Sequence, residues 1–163
     1  MLSRRFWPSH ERGYVGYAEG AVKILALDVG ATTGWAYGCP GAPTLYGVEV
    51  FEGTRTERLG SFLAWLTLQL GMETYRNLGL VVCRRPAASD MTGVVEAMCQ
   101  EYGVGTVAAD AQIVKSFVAK GHTATGAVIA AIRRRGYKPE CQHDANALAV
   151  LTYARATIER EAA

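Results

Sequence analysis

Residues Val22–Val29, reading VKILALDV, form a near-continuous apolar run that ends in Asp28 and is closed by Gly30. A run of this length bounded by a turn residue predicts a central strand buried on both faces. This feature constrains the chain most, because such a strand needs helices above and below the sheet it belongs to. It also carries a carboxylate to a position where an unpaired charge is expensive. A divalent cation, a buried Arg or Lys partner, or an exposed strand end would each meet that cost.

The remaining pattern supplies the sheet and its cover. Gly34–Tyr37 and Thr44–Phe51 suit two further strands, joined by the turn-rich segment Cys39-Pro40-Gly41-Ala42-Pro43. From Arg55 to Arg76 the period changes, and Leu59, Phe62, Leu63, Leu66 and Leu70 fall on one helix face. Leu78–Arg84 is again strand-like, and a helix is expected from about Asp90 to Tyr102. A short strand at Val104–Ala108, a helical turn at Ile113–Val118 and a helix at Ala124–Arg135, ended by Gly136, follow. The last helix is predicted from about His143 to Glu159. Three antiparallel strands followed by parallel ones, with helices on both faces, predict a five-stranded mixed α/β sheet. Binding sites in such sheets form at strand ends.

The chain has 163 residues, half of them apolar and 20% charged, which fits one domain at 21–163 preceded by a tail or arm at 1–20. The formal charge of +2 permits a polyanionic partner without arguing for one, so any basic surface must be local. No apolar run reaches the roughly 18 residues of a spanning helix and no signal-peptide pattern opens the chain, so a soluble cytoplasmic protein with no membrane partner is expected. Cys39, Cys83, Cys99 and Cys141 lack metal-ligand spacing and are expected to be buried free thiols.

Polar groups recur at the start of the last helix. His143 and Asn146 lie three residues apart, in line with the apolar stripe of Ala147, Val150 and Leu151. They suit either a metal site near Asp28 or ordinary capping of the helix, with Asp144 beside them. The loop Lys115–Gly126 sets Lys115 and Lys120 beside a helix start, a place that suits phosphate. Arg133, Arg134, Arg135 and Lys138 form a basic run at a helix end, which reads as a solvated face and gains interest only beside a nuclease site.

Taken together, these segments resemble RuvC-type Holliday junction resolvases of the ribonuclease H-like superfamily, especially the short bacteriophage and prophage branch. The resemblance spans about Val22 to Ala154. It opens with Ile24-Leu25-Ala26-Leu27-Asp28-Val29-Gly30-Ala31-Thr32-Thr33-Gly34-Trp35-Ala36 and closes with His143-Asp144-Ala145-Asn146-Ala147-Leu148-Ala149. Between these, Val114-Lys115-Ser116-Phe117 and Lys120-Gly121-His122-Thr123-Ala124 are similar to the family's basic loop. The resemblance implies a homodimer acting on branched DNA in recombination and repair. It further implies Mg²⁺ or Mn²⁺ held by acids from the first strand, the fourth strand and the last helix.

Carried over residue by residue, Asp28 matches the first acid and His143 a position some relatives also fill with His. In Val81-Val82-Cys83-Arg84-Arg85-Pro86, however, Arg84 stands at the family's glutamate, and Asn146 stands at its final Asp. Gly126 stands where many relatives have lysine. One expectation is an active endonuclease with Asp28, His143, Asp144 and Asn146 in the centre, and Asp90 or Glu96 substituting for the missing glutamate. Its metal would rest on Asp28, His143 and Asn146, and its substrate on Lys115, Lys120, Arg133 and Arg134. The alternative is a cofactor-free pseudonuclease that binds branched DNA or a partner, with the Arg84 guanidinium directed at Asp28 in place of a metal. The helix containing Leu59–Leu70, with Trp65 off its main stripe, is a candidate dimer face.

Overall fold

The computed structural model describes residues 22–38, 42–71, 78–85 and 89–162. The expected arm at 1–20, the Cys39-Pro40-Gly41 part of the first turn and the segment 72–77 lie outside the described residues. The strands are β1 (Lys23–Asp28), β2 (Thr32–Gly38), β3 (Leu45–Val50), β4 (Leu78–Arg85) and β5 (Gly105–Asp110). The helices are α1 (Arg55–Gly71), α2 (Ser89–Glu101), α3 (Ala111–Val118), α4 (Thr125–Arg134) and α5 (Gln142–Ala162). They form one five-stranded sheet in the order β3-β2-β1-β4-β5. The β1–β2 and β2–β3 pairs are antiparallel, whereas β1–β4 and β4–β5 are parallel.

Side-chain alternation along the central strands divides the interior into two cores. Ile24 and Ala26 of β1 and Leu80 and Val82 of β4 pack under α3, α4 and α5. Leu25 and Leu27, with Val81 and Cys83, face Phe62, Leu66 and Leu70 of α1 and Met91, Val95 and Cys99 of α2. Burial on both faces explains why β1 is apolar without alternation. Cys83 and Cys99 are buried free thiols as expected, and loss of solvation pushes both thiol pKa values up to about 12. Cys141 departs from that expectation and is only half-buried.

Local chemistry sets the element ends. The Thr54 backbone N–H donates to Glu57 Oε2 at 2.6 Å and the Glu57 N–H to Thr54 Oγ1 at 3.3 Å, a capping box that starts α1. The Thr54 backbone N–H, and after it the Thr54 hydroxyl, hold the Glu57 carboxyl below its usual range. Strand β2 begins earlier than its glycine suggested, because Thr32 already pairs with Val50. Gly136 has φ 91° and stops α4 as expected.

Gly34 decides how α5 meets the sheet. It pairs with Asp28 across β1–β2, and a Cβ at this position would lie 1.9 Å from the His143 carbonyl oxygen. Only glycine lets the first turn of α5 rest on β2 and bring its side chains to the end of β1. Gly34→Ala must displace backbone and not a pliable side chain, so it is expected to cost at least about 2 kcal/mol and to lower Tm by roughly 5 °C or more. A thermal melt followed by circular dichroism checks this, and an unchanged Tm would contradict the close approach.

Candidate functional site

The site lies where β1 and β4 end side by side. Their parallel register sets Leu27 beside Cys83, so Asp28 and Arg84 are the next neighbours. Asp28 continues the Ile24–Ala26 face of β1 and Arg84 the Leu80–Val82 face of β4, so both point towards α5. Arg84 Nε donates to Asp28 Oδ1 at 2.7 Å. From the first turns of α5, Asn146 Nδ2 donates to Asp28 Oδ2 at 3.0 Å, and His143 Nδ1 lies 3.1 Å from the same oxygen. Facing a carboxylate, that ring nitrogen is the one that carries the proton. The Asp28 side chain is 5% exposed, against 20% for Arg84 and 31% for His143. One desolvated carboxylate is thus surrounded by a guanidinium, an imidazole and an amide.

Of the three ways to satisfy Asp28, the structure takes the buried-cation partner. Glutamate at position 84 would offer a second oxygen ligand to a metal, whereas arginine at the same place supplies a covalently fixed positive charge. Mg²⁺ is held by oxygen ligands whose negative charge compensates its dehydration. Here both Asp28 oxygens accept from protein donors, and Asn146 turns its amide N–H₂ and not its oxygen towards them. No cluster of three or more His, Cys, Asp or Glu side chains able to hold a metal occurs among the described residues. The donor set, as arranged, does not fit a divalent cation.

Other acids named from the sequence lie elsewhere. Asp144 is buried, and its carboxylate accepts the backbone N–H groups of Glu140 at 2.7 Å, Cys141 at 3.1 Å and Ala145 at 2.9 Å. It therefore anchors the turn into α5 and does not join the Asp28 cluster, as its position about 100° round the helix from His143 requires. Asp90 and Glu96 do not replace the missing glutamate. Asp90 accepts from Arg55 Nε at 2.7 Å, which with the Met91 N–H lowers its pKa, and Glu96 pairs with Arg85 at 2.7 Å.

The basic residues are spread over α3 and α4. Lys115 is half-buried on α3, while Lys120 is exposed with φ 53° ahead of Gly121 with φ 93°. Arg133 and Arg134 are exposed in the last turn of α4. Arg135 instead donates to the carbonyls of Ala131 at 3.1 Å and Val118 at 3.4 Å, tying the end of α4 to α3. No hydrogen bond or ion pair joins Lys115, Lys120, Arg133 or Arg134 to the Asp28 cluster among the described residues.

Two supporting residues were not singled out as site residues in the sequence. Gly34 admits α5, and the buried Thr33 hydroxyl donates to the Gly30 carbonyl at 2.8 Å and accepts its N–H at 3.2 Å, fixing the turn after Asp28. The signal was present as a glycine inside a strand pattern, which marks close backbone approach.

A RuvC structure from Thermus thermophilus superposes with a TM-score of 0.63 at 23% identity, covering 85% of this chain and 97% of that one. The fold is RuvC-like. A second structure, T. thermophilus RuvC in complex with Holliday junction substrate, matches with a TM-score of 0.65 at 24% identity, covering 83% and 96% of the two chains. No family model and no curated protein matches the sequence. The expected five-stranded ribonuclease H-like sheet is therefore present, and the comparison with RuvC covers almost the whole of the RuvC chains.

Removing the charge of Arg84 alone strands the Asp28 carboxylate, whereas neutralising both partners does not. Arg84→Gln is expected to cost roughly 3 kcal/mol, reduced from the fully buried range for the partial exposure of Arg84, and Asp28→Asn in the same chain should restore a large part of that loss. Urea unfolding of the four members of this cycle checks the coupling, and additive effects would contradict it.

Proposed function

We propose that this chain is a RuvC-like protein of branched DNA that binds junctions as a homodimer and leaves the phosphodiester uncut. The contact of Arg84 with Asp28 carries the second half of this reading, since it places a fixed cation where hydrolysis needs a removable one. The first half rests on likeness to RuvC, whose junction complex shares this fold. Lys115, Lys120, Arg133 and Arg134 are the proposed phosphate contacts. A homodimer face is proposed on α1, where Leu68 is 64% exposed and no charged residue interrupts Leu59–Met72. An apolar face of this kind is self-complementary about a two-fold axis. No helix among the described residues is long and apolar enough to cross a membrane.

A second reading is favoured by one observation: Asp28, His143 and Asn146 still converge on a single point. A crossover junction endodeoxyribonuclease using Mg²⁺ or Mn²⁺ would require Arg84 to leave Asp28 and Asn146 to turn its amide oxygen inward.

A labelled four-way junction incubated with protein in EDTA, Mg²⁺ or Mn²⁺ separates the two readings. Native gels are expected to show binding in all three conditions, with preference over linear duplex, and denaturing gels no metal-dependent nick. Sedimentation of the free protein is expected to give a dimer that Leu68→Glu dissociates. Nicks that appear with metal and vanish in Asp28→Asn would overturn the non-cutting reading, and equal affinity for junction and duplex would overturn the junction reading.

A further inference from the structure

Deepening the reading above, on which it rests, we infer that the converted centre is itself a metal-independent binding site for one DNA backbone phosphate, gripped by the outer face of Arg84. The guanidinium is a planar fork with five N–H donors, and only its Nε is spent on Asp28. Its two terminal nitrogens have no hydrogen-bond partner among the described residues, although the side chain is anchored at 2.7 Å and 20% exposed. Arg84 is therefore held at its inner edge and open at its outer edge.

The surroundings suit an anion. Asp28, the one carboxylate paired with Arg84 among the described residues, is 5% exposed and already engaged by Asn146 and His143 on its other oxygen. It presents little negative charge to an incoming phosphate. His143 turns Nδ1 inward to Asp28, which leaves Nε2 without a hydrogen-bond partner among the described residues on a side chain that is 31% exposed. A guanidinium binds two phosphate oxygens through parallel N–H donors, a geometry that a lysine ammonium does not reproduce. The arrangement carboxylate–guanidinium–phosphate thus replaces carboxylate–metal–phosphate, with the bridging cation supplied by the chain. No bond is made or broken in the bound nucleic acid.

The test is fluorescence anisotropy in EDTA across a salt series, with a four-way junction and a linear duplex as probes. Wild-type protein is compared with Asp28→Asn and with the double variant Asp28→Asn/Arg84→Gln, after circular dichroism shows that each is folded. The double variant has the formal charge of the wild type and no stranded carboxylate, so net charge does not explain a difference between them. It is expected to bind about tenfold more weakly than wild type, with the slope of log K against log salt shallower by roughly one phosphate contact. Asp28→Asn keeps Arg84 and is expected to bind at least as tightly as wild type. Equal affinity and equal slope in wild type and double variant overturn the inference.

The outcomes also separate this inference from the proposed function. Loss of the slope increment on both probes, without junction preference in the wild type, would retain the phosphate site and overturn the junction reading. Junction preference that is indifferent to Arg84 would do the reverse. Failure of the wild type to bind either probe overturns both.

Discussion

The carboxylate of Asp28 is the constraint on which the rest of this structure depends. Strand β1 is buried on both faces, and the chain carries a charge to its end, where side-chain exposure falls to 5%. Something must compensate that desolvation, and the compensating group decides what the site can do. A metal ion would be exchangeable and would polarise whatever else it touched. The guanidinium of Arg84 is permanent and cannot lower the pKa of a bound water as a metal ion does. The proposed loss of cutting thus rests on one side chain at one strand position.

The surrounding structure serves this contact. Parallel pairing of β1 and β4 places Arg84 beside Asp28. Gly34 removes the Cβ that would hold α5 off the sheet, and the Asp144 carboxylate fixes the turn from which α5 starts. His143 and Asn146 then reach Asp28 together, one turn apart on the helix. The two cores on either side of β1 supply the rigidity that such positioning needs.

Much of the fold was legible because its signals are strong: an apolar strand, a period change at Arg55 and glycine at helix ends. The approach of Arg84 to Asp28 followed from the resemblance, which set Arg84 at the family's fourth-strand glutamate, whereas the strand order came from the structure. The role of Asp144 was less legible, because an acid in the first turn of a helix has the same composition whether it binds metal or backbone. Its burial and the bend at residues 140–141 decide the matter, and both arise from tertiary packing. Asp90 and Glu96 were misplaced for a related reason, since the choice of an arginine partner across α1–α2 or β4–α2 is invisible in local pattern. Arg135 likewise differs from its neighbours Arg133 and Arg134 only through the carbonyls it meets.

If Arg84 occupies the place a metal would take beside Asp28, crystals grown with Mn²⁺ and measured for anomalous scattering will show Arg84 on Asp28 and no anomalous peak among Asp28, His143 and Asn146. A Mn²⁺ peak bound to Asp28 with Arg84 rotated out to solvent would contradict it.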